Sequence, residues 1–313
     1  MQRDEQNAKS KGELLPILST TLKGISQVIF IENAVTGLII LIAITISSVS
    51  VGVIALLSSL LATLIGKFGR TQKSIVDQGL LGYNSVLAGI ALSLNLEGSM
   101  RWIIALAGAV VVVFFTAGMM HWMQNLKIPV LTFPYIILTW FLLLATYQLG
   151  AFRLSPELVP QDLVHMDLHP EGTIDWVSGL INGIGQVFFQ DQFLSGILVI
   201  IGVFWASWRM GFYTIIGSAV ALLTAYGLGA EVTLLNLGLY GFNAVLTILA
   251  VGHVFDSKSR LAPWTGIIAA VICVPITASI TTWLLPYGLP TLTMPFVLST
   301  WLFLAARKFM PRI

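Results

Sequence analysis

Gly79-Leu80-Leu81-Gly82-Tyr83-Asn84-Ser85-Val86-Leu87 returns 159 residues later as Gly238-Leu239-Tyr240-Gly241-Phe242-Asn243-Ala244-Val245-Leu246. Upstream, Gly24-Ile25-Ser26-Gln27-Val28-Ile29-Phe30 returns at the same spacing as Gly183-Ile184-Gly185-Gln186-Val187-Phe188-Phe189. Downstream, Pro129-Val130-Leu131-Thr132-Phe133-Pro134 through Trp140 returns as Pro290-Thr291-Leu292-Thr293-Met294-Pro295 through Trp301. Two inserted residues stretch that spacing to 161. A duplicated half points to a transporter or channel whose pathway lies between the halves.

The halves belong in a membrane. Hydrophobic residues make up 57% of the chain and charged residues 10%, where a soluble chain carries about a quarter charged. Mean hydropathy is +0.90. Apolar runs at 33–48, 50–66, 75–94, 102–120 and 130–149, then 194–208, 211–229, 234–252, 264–284 and 291–306, are candidate spans. A full crossing takes roughly 20 helical residues, so some of these are short enough to be half-spanning. Segments 21–31 and 180–190 precede the first span of each half and read as re-entrant helices. The first 24 residues are polar and hold no signal-peptide core. The expected organisation is an N-terminal tail 1–20, repeat A 21–149, a polar linker 150–178 and repeat B 179–313.

Charge sets the orientation. With both termini in the cytoplasm, 14 of the 16 Lys and Arg fall inside, from Arg3, Lys9 and Lys11 through Lys258 to Arg312. Arg101 and Arg153 fall outside, as the positive-inside rule asks. The linker, with Glu157, Asp162, Asp167, Glu171 and Asp175, lands outside. Five crossings per half is an odd number, so the second half enters upside down. The expected fold is an all-α integral membrane protein of ten transmembrane helices in two inverted-topology repeats of five, each with a short re-entrant helix. The net charge of +2 does not point to a nucleic-acid partner.

The repeated blocks offer uncharged hydrogen-bonding groups in pairs: Gln27 with Gln186, Thr132 with Thr293, and Asn84 with Asn243. Rings recur as Phe30 with Phe189 and Tyr83 with Phe242. None of these titrates near neutral pH, so such a path suits a small, uncharged, strongly hydrogen-bonding solute. Pro134 and Pro295 push Phe133 and Met294 away from helical geometry. Broken helices with carbonyls exposed around Leu131–Phe133 and Leu292–Met294 should follow, tolerated at depth only against protein or a wet cavity. Asn84 and Asn243 read better as braces of these half-helices than as solute contacts. Glu32 and Asp191 read as a pair of acids at the re-entrant turns, solvated or at a subunit contact.

Other chemistries lack their residues. His121 and His253 are 132 residues apart, which matches neither repeat spacing, so a facing pair of pore histidines is not supported. His165 and His169, near Asp162 and Asp167, fit a solvated loop better than a metal site. No G-x-x-x-x-G-K-[ST] loop serves a pump. The acids lie at span ends and in the linker rather than in a coupling path. Neither a nucleophile with its base nor a metal cluster marks an enzyme, and no cofactor is called for. The lone Cys273 sits in an apolar run, so disulfides play no part.

These blocks, together with Leu292-Thr293-Met294-Pro295-Phe296-Val297-Leu298-Ser299-Thr300-Trp301-Leu302, resemble the repeated signatures of the urea transporters across nearly the whole chain outside the termini and linker. The resemblance implies facilitated diffusion of urea through a channel in each protomer of a homotrimer, in the plasma (cell inner) membrane. It implies two aromatic slots joined by a narrow stretch with two ladders of oxygen acceptors. By motif position, Gln27 and Gln186 stand near the ladder ends and Thr132 and Thr293 flank the centre. Phe30, Tyr83, Phe189 and Phe242 line the slots, packed by Val28, Val187, Leu87 and Leu246. The resembled motif usually has phenylalanine where this chain has Tyr83, whose hydroxyl can bond solute or water or turn into the wall. The alternatives are a channel of the same build for ammonia, water or short amides, or an ion-coupled transporter with Glu32 or Asp191 buried.

Overall fold

In hydrocarbon a backbone must satisfy its own polar groups, which leaves helices and closed barrels as the spanning structures; the described residues of this chain are mostly helical. A computed structural model describes residues 2–165, 168–255 and 259–310, with side chains from residue 14 onward except that of His165. Asp167, Lys258 and Arg312 lie outside the described residues, as do the side chains of Arg3, Lys9, Lys11 and His165.

The first half comprises α1 (Gln2–Ser26), α2 (Ala34–Ser47), α3 (Val49–Phe68), α4 (Lys73–Asp77), α5 (Gly82–Asn95), α6 (Arg101–Met123) and α7 (Phe133–Ala145). The second comprises α8 (Trp176–Gly185), α9 (Phe193–Ala206), α10 (Trp208–Gly227), α11 (Val232–Asn236), α12 (Gly241–Leu249), α13 (Ala262–Leu284) and α14 (Met294–Phe309). The elements follow in the same order, and α3 and α10 are both 20 residues long, α6 and α13 both 23. A two-residue antiparallel pair, Leu96–Glu97 with Arg153–Leu154, is the one β feature among the described residues. It ties the linker to the end of α5. The helix expected over 21–31 runs back to Gln2, and α8 takes up the last residues of the linker.

Among the described residues, four helices (α3, α6, α10 and α13, the second and fourth extended by a short turn) are long and apolar enough to cross a membrane. There are up to six if each bent pair counts as one span. The bent pairs are Leu14–Ile29 with Ala34–Ser47, at 75°, and Trp176–Phe188 with Phe193–Ala206, at 72°. The remaining candidate spans hold shorter helices, such as the 13 residues of α7 and the 14 of α5. Proline explains the first: Pro134 sits in the opening turn of α7, where its missing N–H is harmless, and upstream helix is forbidden.

Left-handed backbone marks the breaks. Phe30 (φ 63°) and Phe189 (φ 59°) end the 3₁₀ turns that follow α1 and α8, and Leu131 (φ 53°) and Leu292 (φ 51°) precede α7 and α14. Such φ values are rare for residues with a Cβ. Gly79 (φ 74°) and Gly238 (φ 72°) turn the chain into α5 and α12. A Cβ at Gly238 would lie 2.1 Å from Gly183 N, and one at Gly79 would lie 2.5 Å from Gly24 N. The two glycine-bearing repeated blocks thus pack backbone to backbone within each half.

Between the halves, four bonds form two reciprocal pairs. Thr36 Oγ1 donates to Gly202 O and Ser195 Oγ to Ala43 O, both at 2.9 Å, joining α2 to α9. Trp140 Nε1 donates to Pro290 O at 2.8 Å and Trp301 Nε1 to Pro129 O at 2.9 Å. Exchanging the two halves turns each bond into its partner.

The glycine contact yields a stability prediction. Gly238→Ala should lose at least about 3 kcal/mol, because the methyl meets backbone that cannot yield and φ is positive. Gly227→Ala, with nothing within 4 Å of the added carbon, should be tolerated. Thermal melting and gel-filtration profiles of the two detergent-purified variants test this, and equal stability would refute the packing.

Candidate functional site

Two cavities enter the bundle from opposite ends. The first, of about 270 Å³, is walled by Gln27, Val28, Phe30, Tyr83, Leu131 and Thr132, with Met120, Met123, Lys127, Phe255 and Phe296. The second, of about 580 Å³, is walled by Gln186, Val187, Phe189, Phe242, Leu292 and Thr293, with Tyr135, Tyr240, Thr277 and Thr281. Asn95, Ser155, Glu157 and Asp191 also line the second. α6 begins just after Asn95 and ends at Met123, and its 23 residues rise ~34 Å, which separates the two mouths.

The cavities meet at a hydroxyl contact. Thr132 Oγ1 lies 2.7 Å from Thr293 Oγ1, and Tyr135 Oη lies 3.0 Å from the same Thr293 oxygen. Both threonines are 3% exposed and Tyr135 is fully buried. Three hydroxyls carry three protons and share two bonds, so one proton is left over. It lies on Thr132, in the first cavity, or on Tyr135 or Thr293, in the second.

The glutamines are oriented alike. Gln27 Nε2 donates to Gln78 O at 2.9 Å and Gln186 Nε2 to Leu237 O at 3.2 Å. Each acceptor is the carbonyl just before the left-handed glycine of its half. With one N–H engaged in this way, the amide oxygen and the second N–H are left for a solute.

The helix breaks are braced by the asparagines. Asn84 Nδ2 donates to Leu131 O at 3.3 Å and Asn243 Nδ2 to Leu292 O at 3.2 Å. Asn243 Oδ1 also accepts from Phe296 N at 3.2 Å. Tyr83 does not point its hydroxyl at open space: Oη donates to Leu131 O at 2.8 Å.

Of the residues singled out by sequence, Gln27, Val28, Phe30, Tyr83 and Thr132 gather at the first cavity, and Gln186, Val187, Phe189, Phe242 and Thr293 at the second. Leu87 and Leu246 are fully buried and stand in neither wall. Phe133 packs on Trp301, ring centroids 5.2 Å apart, and Met294 is buried; neither lines a cavity. Glu32 is bound by Lys23 Nζ at 2.8 Å, and both Glu32 and Asp191 are exposed.

Sequence reasoning did not single out Tyr135, Phe296 or Phe255. The first two are counterparts in the third repeated block, a signal that was there to read. Phe255 had none: its counterpart at the repeat spacing is Leu96. It reaches the first cavity through the π-helical turn Ala250–Val254, and its ring meets Phe30 edge-on at 5.7 Å. Phe296 adds a second ring, 6.0 Å from Phe30.

The family model described as urea transporter matches residues 18–308. The chain belongs to the urea transporter family. It is 26% identical over 310 residues to urea transporter 1 of Ovis aries and of Capra hircus, covering 97% of this chain and 81% of each relative. It is 26% identical over 314 residues to urea transporter 1 of Rattus norvegicus, with the same coverage. In this family member the repeated blocks form two cavity walls rather than one.

Asn243→Ala should destabilise the protein by about 2–4 kcal/mol, since it strands a buried carbonyl at Leu292 and a buried N–H at Phe296. Thermal melting in detergent reads this directly, and a change under about 0.5 kcal/mol would remove Asn243 from the brace.

Proposed function

We infer that the chain conducts urea passively, through a path that joins the two cavities at Thr132 and Thr293. The observation that carries this reading is that both cavities present the same kinds of group: a glutamine amide oxygen, aromatic rings and a threonine hydroxyl. Urea is flat, with one carbonyl and two NH₂ groups, and each polar group left unpaired at depth costs several kcal/mol. The Gln27 and Gln186 oxygens and the backbone at the two helix breaks replace water on its N–H edges. The spare proton of the hydroxyl chain meets its carbonyl, on Thr132 when urea stands in the first cavity and on Tyr135 or Thr293 when it stands in the second.

Passage between the cavities requires opening the 2.7 Å contact of Thr132 with Thr293. Such a bond contributes about 1 kcal/mol net, and both hydroxyls re-form bonds to the solute. The barrier is therefore low for a solute that can donate and accept, and high for an ion without a countercharge. Weak binding at successive positions keeps flux fast.

The reciprocal bonds that Thr36 and Ser195, and Trp140 and Trp301, make to backbone of the opposite half support a two-fold relation between the halves, which we read as inverted repeats of five crossings each. Both termini and Lys127 then lie in the cytoplasm, and Glu157 and Asp191 outside, in a plasma (cell inner) membrane. Assembly as a homotrimer rests on the family resemblance. Ion coupling through Glu32 or Asp191 is disfavoured, because both are exposed and Glu32 is already paired with Lys23.

Stopped-flow urea entry into proteoliposomes tests the reading. Wild-type flux should exceed that of empty vesicles and be the same with and without sodium or a pH gradient. Gln27→Ala and Gln186→Ala should each slow it about fivefold, the worth of one ordinary hydrogen bond. Sodium-dependent entry, or mutants as fast as wild type, would defeat it.

A further inference from the structure

Building on the urea-channel reading, we propose that Tyr83 is a specificity-determining residue, one that removes a backbone acceptor from the first cavity and leaves the two halves of the path unequal. The Leu131 carbonyl, in the wall of that cavity, accepts from Tyr83 Oη at 2.8 Å and from Asn84 Nδ2 at 3.3 Å. A carbonyl oxygen has two lone pairs, so both are taken. At the matching place in the second cavity, Leu292 O accepts from Asn243 Nδ2 at 3.2 Å. Position 242 there is phenylalanine, with no hydroxyl to add. One lone pair of Leu292 is open to a solute, and none of Leu131 is.

The asparagines carry the same asymmetry. Asn243 Oδ1 accepts from Phe296 N at 3.2 Å, whereas the buried Asn84 Oδ1 has no partner. Asn84 thus bonds Leu131 alone, where Asn243 bridges Leu292 and Phe296. Having given its proton to Leu131, the phenol can still accept from a solute but cannot donate to one. A phenol oxygen is also a poorer acceptor than an amide carbonyl. Tyr83 therefore exchanges a strong acceptor for a weak one on one side of the path.

The consequence falls on solutes with two N–H edges. Urea presents two NH₂ groups and needs acceptors for both. Formamide has one and can turn it toward whichever edge is complete. Tyr83 thus lowers the advantage of urea over formamide, and restoring the Leu131 acceptor raises it.

The test uses the full chain in proteoliposomes, measuring urea and formamide permeabilities by stopped flow for wild type, Y83F and F242Y. Each preparation is first checked for a single gel-filtration peak and unchanged helical content. Y83F should raise the urea-to-formamide ratio roughly two- to tenfold, the range that one hydrogen bond spans, and F242Y should lower it by a similar factor. If Y83F does not fold, the fall in F242Y decides the matter alone. A ratio unchanged in both variants, or moving the same way in both, overturns the proposal. Wild-type urea entry no faster than in empty vesicles would instead overturn the channel reading on which the proposal rests.

Discussion

A helix that begins inside an apolar bundle leaves backbone groups that water cannot reach, and each one unpaired costs about 1–3 kcal/mol. α7 and α14 begin in this way, at Pro134 and Pro295, and much of the surrounding architecture serves to supply partners. Asn84 and Asn243 reach the carbonyls of Leu131 and Leu292. The indoles of Trp140 and Trp301 cross between the halves to the carbonyls of Pro290 and Pro129. The same groups that answer the breaks also fasten one half to the other, so the walls of the cavities and the contact between halves are one piece of construction.

Strain gathers at that place. Phe30, Leu131, Phe189 and Leu292 all hold positive φ, and all four stand in cavity walls. A left-handed residue with a side chain costs of order 1–3 kcal/mol and persists only where its surroundings hold it. Here the turn swings a ring or a carbonyl toward the cavity that a continuous helix would have hidden. Gly79 and Gly238 reach the same region of φ without a Cβ, which lets α1 and α8 press directly on the turns that open α5 and α12.

The duplication is not chemically even. The first cavity is the smaller and the more apolar, with Met120, Met123, Phe255 and Phe296 in its wall, while the second adds Thr277, Thr281, Tyr240 and two carboxylates. At the two repeated positions where a phenol matches a phenyl ring, the hydroxyls belong to the first half, Tyr83 opposite Phe242 and Tyr135 opposite Phe296. One of them donates to a backbone carbonyl and the other joins the central threonines. A solute moving along the path would therefore meet the same motifs twice but different proton inventories.

Much of this was legible in the chain because it is local. Apolar runs specify helices, prolines specify where two of them break, and equal spacing of three blocks specifies that the halves share one plan. Gln27 with Gln186 and Thr132 with Thr293 could be named because each pair recurs at the same place in a repeated block. What the residues alone left open was direction: whether the Tyr83 hydroxyl meets a solute or the wall, and which end of each glutamine amide is free. Leu87, Leu246, Phe133 and Met294, named by motif position, pack outside both cavities, and Phe255, which no repeat foretells, enters one. A motif fixes residue types and their order along the helix. Only the packed tertiary structure decides which lone pair or ring face is left uncovered, because that depends on partners more than 45 residues away, such as Tyr83 with Leu131 or Thr132 with Thr293.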